Sequence, residues 1–121
     1  QQFPIPLPTS FESIVTYVPG GGLIESDNLA APGSIAGTGQ GVWELLSNRG
    51  TRKFTLTFTK YLFSTQGFFQ GSVRVTETIT LNSGDSYTGE GTIEVLSPTG
   101  ATLISIPVTS TGTRIRMQPT N

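Results

Sequence analysis

The sequence predicts an all-β protein: a single antiparallel up-and-down meander, closed or nearly closed into a small barrel of about eight strands. Three observations lead to this prediction. Large apolar residues alternate with threonines and other polar residues, which is typical of strands with one buried face. Runs of Gly, Pro, Ser and Asn interrupt the alternation at short intervals, as turns between consecutive strands do. The alternation nowhere gives way to a helical period over about ten or more residues.

The composition excludes several classes of function. The chain has 121 residues, of which 12% are charged, and a formal net charge of -1. A nucleic-acid-binding surface needs a clustered basic face, so we expect no nucleic-acid partner. The chain contains no Cys and no His, which excludes Cys/His zinc sites, cysteine nucleophiles and Ser-His-Asp triads. We expect no metal and no cofactor. No run of about 18 apolar residues occurs, so we also expect no membrane span.

The N-terminal end of the chain indicates an exported protein. The chain opens with Gln1 and Gln2 instead of Met, as it would after removal of a signal peptide. This start, together with the low charge, favours a secreted or periplasmic location.

The chain begins with an extended arm, followed by one domain. Residues 1–9 carry prolines at every second position from Pro4 to Pro8, and prolines fix φ and remove backbone donors. We therefore expect an extended arm that is not a central strand. Residues 10–121 form the single β-barrel domain. Within it, residues 27–40 lack any periodicity and are expected to form the longest loop, of the kind that often carries function.

Eight segments have the alternation expected of strands, and turn-forming residues close each of them. The predicted strands are residues 10–18, 23–26, 41–46, 54–59, 73–81, 86–96, 101–108 and 111–117. The run Pro19 to Gly22 closes the first strand, and the run Pro98 to Gly100 makes a tight hairpin after the sixth.

Turn positions also set the register between strands and so define one interior face. A turn centred on residues 83–85 places Leu81 opposite Tyr87 and Glu77 opposite Gly91. Residues that share the interior face by alternation and register are expected to be buried together. They are Phe54, Leu56, Phe58, Val73, Val75, Ile79, Ile93, Val95, Ile104 and Ile106.

Glu77 is the candidate catalytic residue, because it takes a position on the interior face where the alternation calls for an apolar side chain. A desolvated carboxylate has a raised pKa unless a cation or several donors hold its ionised form, and it can then act as a general acid or base. Two glycines on the next strand, Gly89 and Gly91, either leave space for a pocket beside Glu77 or simply let the strand coil. Glu77 is accordingly either a satisfied structural acid or the functional group of a pocket.

Five further residues are candidates for ligand binding. Trp43 and Tyr87 are large aromatic residues with a polar group, which line cavities in some proteins and fill cores in more. Phe58 lies on the interior face of the predicted strand 54–59. Lys60 continues that face just beyond the strand, where it either pairs with Glu77 or extends to the barrel end. Glu25 alternates with Leu23 and also points inward, either to a site or to a hydrogen-bonded position near the rim.

Four segments resemble the motifs of a family of small bacterial β-barrel proteins, many of them exported. The segments are residues 20–27 (GGGLIESD), 39–44 (GQGVWE), 84–89 (GDSYTG) and 112–115 (GTRI). The resemblance covers residues 11–116 and implies an architecture similar to lipocalin-like and allene-oxide-cyclase-like barrels. It implies no catalytic residue. In that family a strand with a Gly-Thr-Trp start precedes the segment at Phe11, whereas this chain has only the proline-rich arm there. Either the arm or a neighbouring molecule would then complete the sheet.

Three hypotheses for the function follow from the sequence. The first is binding of a small apolar molecule in the barrel interior, as in lipocalin-like proteins. The second is a cofactor-free cyclase or isomerase that works through the interior acid Glu77. The third is a structural or self-assembling extracellular protein, in which the arm of residues 1–9 joins another subunit's sheet and forms a homo-oligomer. The sequence does not decide whether the protein is an enzyme.

Overall fold

The computed structural model describes residues 10–28, 34–47 and 50–115, and these residues form one antiparallel β-sheet. Its strands are β1 Ser13–Val18, β2 Gly22–Asp27, β3 Ser34–Ala36, β4 Gly39–Ser47, β5 Lys53–Ser64, β6 Phe69–Leu81, β7 Ser86–Leu96 and β8 Thr102–Thr113. The predicted arm of residues 1–9 lies outside the described residues. Across the three described ranges there is no helix, and so none that is long and apolar enough to span a membrane.

The sheet is a meander that curls into an open half-barrel. The strands follow the order β1-β2-β4-β5-β6-β7-β8, and the short β3 pairs with the part of β5 that extends beyond β4. The two edge strands, β1 and β8, are 9 Å apart, so a seam remains between them. The prediction of an all-β antiparallel meander, nearly closed into a barrel, is confirmed.

The β5–β6 hairpin is the centre of the sheet, and its alternation decides which face is interior. Leu56 pairs with Glu77 and Phe58 with Val75 in the register of this hairpin. Leu56 is 4% exposed, whereas the threonines that alternate with it are only partly buried on the outer face. The predicted interior face is therefore correct for this hairpin, because apolar side chains on one face of a pleated strand are buried together.

The predicted register of the next hairpin is also correct. Leu81 lies opposite Tyr87 and Glu77 opposite Gly91 in the β6–β7 pairing. Eight of the ten residues predicted to share the interior face are buried, while Ile104 and Ile106 are half-buried. Both isoleucines belong to β8, which is an edge strand and has no neighbour to cover them on the side of the seam.

Two predicted elements differ from the structure. Residues 27–40, predicted as a loop, contain β3, whose three residues are too few to show a period. Residues 101–108 and 111–117, predicted as two strands, form the single strand β8 as far as Thr113, and residues 116–117 lie outside the described part. The predicted break at Thr109 and Ser110 is wrong, because both residues pair with β7 and the ladder continues past them.

Candidate functional site

A cavity of about 680 Å³ opens at one end of the half-barrel. Both edges of the seam contribute to its lining, β1 through residues 14–17 and the end of β8 through residues 113–115. The side chains that dominate its wall are apolar or aromatic. They are Tyr17, Trp43, Leu45, Phe54, Leu81 and Tyr87. Arg52, Asp85 and Arg114 add charged groups to the lining.

Three aromatic rings of the cavity wall hold each other in place. Tyr17 and Phe54 meet edge to face with their ring centroids 5.3 Å apart, and Trp43 lies 6.1 Å from each of them. Edge-to-face contacts of this kind add to the stability that burial alone gives. The Trp43 indole Nε1 donates a hydrogen bond of 3.0 Å to the Val18 carbonyl, which fixes its ring. The wall is therefore preformed and offers aromatic surface to a ligand.

Tyr87 forms another part of the wall and depends on a glycine of β8. Gly112 is paired with Tyr87, and a Cβ at position 112 would fall on the Tyr87 ring. The ring thus occupies the space that a larger residue would take. Burial raises the pKa of the Tyr87 hydroxyl, and the nearby charge of Glu77 acts in the same direction. Tyr87 stays a neutral hydrogen-bonding group at physiological pH.

Glu77 points into the interior beside the two cavity tyrosines but does not line the cavity. Its Oε2 accepts a hydrogen bond of 2.6 Å from the Ser110 hydroxyl. Burial raises the pKa of Tyr17, and the charges of Tyr87 and Glu77 raise it further. The Tyr17 hydroxyl is buried and lies close to the Tyr87 hydroxyl. The Tyr17 and Tyr87 hydroxyls of the cavity wall and the Glu77 carboxylate thus form one polar cluster.

The two glycines opposite Glu77 have different roles. A Cβ at Gly89 would come within 2.6 Å of both Glu77 Oε2 and Ser110 Oγ, so this glycine makes room for the hydrogen-bonded pair. A Cβ at Gly91 would instead strike the β6 backbone, with Glu77 Cα at 2.7 Å. Gly91 therefore allows close approach of the two strands, as coiling of the sheet requires.

A second cluster of polar side chains lies in the interior, contributed by strands β1, β2 and β5. Glu25 is 0% exposed and Lys60 is 2% exposed. Lys60 Nζ forms an ion pair with Asp27 and lies 3.8 Å from Glu25 Oε1. Glu25 Oε2 accepts a hydrogen bond of 2.6 Å from the Ser13 hydroxyl. We call these four residues, Ser13, Glu25, Asp27 and Lys60, the acid–lysine cluster.

Gly39 makes the contact between β2 and β5 across β4 possible. It pairs with Glu25, and a Cβ at position 39 would lie 2.9 Å from Glu25 Oε1 and from the Phe58 ring. The Glu25 side chain therefore passes over Gly39 toward Lys60. A lysine buried to this extent needs such partners, because an unpaired charge in the interior is costly.

The acid–lysine cluster contains two carboxyl groups and one cation, and this imbalance affects Glu25. Burial raises the pKa of Glu25 to about 7, and a hydrogen bond shared with the Asp27 carboxylate acts in the same direction. The Ser13 hydroxyl and the Lys60 charge lower it only in part. When Glu25 is ionised, its Oε1 has no hydrogen-bond partner among the described residues. Protonation gives the carboxyl group a donor and matches the single charge of Asp27 to that of Lys60.

The structure divides the five residues that the sequence predicted to bind a ligand among three places. Trp43 and Tyr87 line the cavity, and Phe58 is buried in the core. Glu25 belongs to the acid–lysine cluster. Lys60 also belongs to this cluster and not to Glu77, the partner that the sequence suggested, because Glu25 and Asp27 lie on its side of the sheet.

Sequence reasoning missed several residues of these sites, and Tyr17, Asp27 and Ser110 show why. Tyr17 occupies an interior position two residues after Val15, so the alternation of β1 was the available signal. Asp27 likewise follows Leu23 and Glu25 at period two, but the lack of periodicity in residues 27–40 predicts a loop there. Ser110 carries no such signal, since it was placed between two strands.

Comparisons of the chain with protein-family models, with curated proteins and with solved structures gave no match.

Proposed function

We propose that the protein binds a small apolar molecule in the aromatic cavity at the end of the half-barrel. The observation that carries this proposal is the cavity itself, whose volume of about 680 Å³ falls within the range of small-molecule sites. Ligand sites of this kind have mostly apolar walls with a few polar groups that fix orientation. Tyr17, Trp43 and Phe54 supply the apolar wall, while Arg52 and Arg114 supply polar groups.

The aromatic rings of the cavity wall are fixed in place, which supports a binding site rather than simple core packing. The three rings contact one another, and the Trp43 indole nitrogen is already bonded to the Val18 carbonyl. A ligand therefore does not have to order these side chains, and the entropy cost of binding is reduced.

The sequence resemblance agrees with this role. The four motifs resemble those of small bacterial proteins, many of them exported, whose barrels are lipocalin-like. On that resemblance alone we propose that the protein acts in the periplasm or outside the cell. The cyclase or isomerase hypothesis stays a hypothesis. It requires Glu77 to reach a substrate, and Glu77 lies behind Tyr17 and Tyr87.

The test uses Trp43 as the reporter, because it is the single tryptophan of the chain. The neutral fluorophore N-phenylnaphthylamine is titrated into the protein, and energy transfer from Trp43 is followed. We expect saturable binding with one site per chain, and a melting temperature that rises with fluorophore concentration.

Two neighbouring leucines provide matched variants. Leu45 lines the cavity and is 52% exposed, whereas Leu46 is 56% exposed and does not line it. Leu45→Glu places a carboxylate beside the apolar ligand and should weaken binding by roughly ten-fold or more. Leu46→Glu should bind as the unmodified protein does. Absence of saturable binding, or equal weakening in both variants, would overturn the proposal.

A further inference from the structure

Lys60 and Asp27 meet in the interior in a direct contact that is closed to solvent. Lys60 Nζ contacts Asp27 Oδ2, and the two side chains are each 1% exposed. Asp27 ends β2 and Lys60 lies on β5, so the contact joins two strands that are not neighbours in the sheet. It is possible because β4, the strand between them, begins only at Gly39. An amine and a carboxyl group are thus held together on separate strands, away from water.

Apolar side chains of the core surround this contact. Val73 pairs with Lys60 across the β5–β6 hairpin, and Leu62 follows Lys60 at period two on the same face. Both are buried, as is Phe58, which precedes Lys60 on this face. An apolar interior disfavours charged groups, so an ion pair and the neutral amine–acid pair made by moving one proton are closer in energy there than in water. The neutral amine is the form that attacks a carboxyl carbon.

Glu25 supplies the acid that such an attack requires. Its side chain is 0% exposed, and its Oε1 lies 3.8 Å from Lys60 Nζ. The Ser13 hydroxyl donates a hydrogen bond of 2.6 Å to Oε2, so Oε1 is the oxygen left for the contact between Lys60 and Asp27. Burial, together with a hydrogen bond shared with Asp27, raises the pKa of Glu25 to about 7. A large share of the Glu25 side chains is therefore protonated near neutral pH and can give this proton to an Asp27 oxygen.

We propose that Lys60 and Asp27 condense to an amide bond, with Glu25 as the acid–base group, so that the folded chain carries an internal covalent cross-link. One proton first crosses from the ammonium to the carboxylate. Lys60 Nζ then attacks Asp27 Cγ, and Glu25 gives its proton to the Asp27 oxygen that leaves. A C–N bond replaces a C–O bond, the nitrogen returns a proton to Glu25, and one water is released. One positive and one negative charge disappear together, so the net charge is unchanged.

Position and the exclusion of water favour formation of this bond over its hydrolysis. Two groups that a fold holds in contact react as if each were present at very high concentration. Hydrolysis needs a water molecule at the bond, and none of the three reacting side chains is more than 1% exposed. The fold therefore favours condensation of a pair that stays ionised and unreacted when it is free in water.

The cross-link gives the chain a covalent brace that its composition otherwise denies it. The sequence has no cysteine and so no disulfide. The bond closes a ring of residues 27–60, which contains β3 and β4. Closing such a ring removes conformational freedom from the unfolded chain, as a disulfide does. The bond thus fixes β2 to β5 at the place where β4 does not lie between them.

Intact mass spectrometry of the full chain, unfolded in denaturant, tests the bond directly. We expect a mass about 18 Da below that calculated from the sequence, because one water is lost. Lys60→Arg and Glu25→Gln should each show their own calculated mass, since the first lacks the reacting amine and the second lacks the acid. Lys53→Arg is the matched control and should keep the loss, because Lys53 is the other lysine of the chain and is exposed. Masses are compared between variants, so a change common to all of them cancels.

Digestion with trypsin locates the bond and does not depend on any variant being folded. Trypsin cleaves after lysine and arginine, so an amide at Lys60 should block that site and leave residues 54–74 attached to residues 1–49 as one branched peptide. The full calculated mass in the unmodified chain would overturn the proposal. A water loss that persists in Lys60→Arg would overturn it equally and would indicate a cyclic imide at an aspartate instead. A loss that persists in Glu25→Gln would overturn the role given to Glu25.

Discussion

Glu25 couples the stability of the fold to pH, because the folded chain holds its carboxyl group in the interior. Below the ordinary pKa of 4.5 the group is protonated in both the folded and the unfolded chain. Between 4.5 and about 7 the unfolded chain releases a proton that the folded chain keeps. The free energy of unfolding should therefore fall as pH rises through this window, by up to about 1.4 kcal/mol per pH unit.

The substitution Glu25→Gln tests this dependence. It keeps a neutral side chain at the site at every pH, so the fall across the window should flatten when unfolding by urea is measured at several pH values. Glu90→Gln, which changes an exposed acid on β7, serves as the control and should retain the fall. A slope that Glu25→Gln leaves unchanged would mean that other groups cause it.

Gly91 is a residue at which a single added methyl group should be strongly destabilising. A Cβ there meets the backbone of β6, which cannot move without disturbing the ladder. Gly91→Ala should lower the free energy of unfolding by about 1–3 kcal/mol or more. Gly84→Ala is the matched control, since a Cβ at position 84 has open space around it, and it should be nearly neutral. Urea denaturation of both variants gives the comparison, and equal losses would contradict it.

At the scale of the elements, the β5–β6 hairpin carries much of the core. Leu56 on β5 is 4% exposed, whereas Leu103 on β8 is 40% exposed. Leu56→Ala should cost about 2–5 kcal/mol of stability, because it removes buried methyl groups and leaves a cavity. Leu103→Ala should cost well under about half of that. Both costs are measured from the shift in the urea midpoint, with the slope of the unfolding free energy against urea unchanged. A similar cost for the two variants would mean that the core is not centred on the β5–β6 hairpin.

The sequence predicts a strand well when the alternation within that strand alone shows which of its side chains are buried. The hairpin of β5 and β6 alternates over many residues, so both its strands and their register follow from the sequence. The three residues of β3 carry no period, and they form a strand only because β5 extends beyond β4 and offers them a partner. In β8, the polar residues Thr109 and Ser110 follow the apolar alternation and suggest a break, but both pair with β7 and the strand continues.

The candidate site was less predictable than the fold, because its contacts join distant strands. Alternation places Glu25, Lys60 and Glu77 in the interior, and all three point there. The partner of Lys60 depends on β4 lying between β2 and β5, with Gly39 leaving room for the contact. No local pattern encodes that arrangement. The cavity wall depends in the same way on Tyr17 reaching Trp43 and Phe54 from the edge strand.

At the scale of the whole molecule, the interior of the half-barrel has two separate regions. One holds the acid–lysine cluster and is sealed around Lys60 and Glu25. The other holds the aromatic cavity and is bordered by both edges of the seam. Stability therefore rests mainly on the central hairpins, while the proposed ligand site lies where strands β1 and β8 end the sheet.

Pro107 lies on the β8 edge of the seam, and this position bears on how the protein could polymerise. If the seam were empty, the β1 edge of one molecule could join the β8 edge of the next, and such head-to-tail addition would continue without limit into a filament. At every joint of that filament Pro107 would leave one hydrogen bond unmade. Pro107 therefore weakens each such joint by one hydrogen bond and disfavours growth of a filament through this edge.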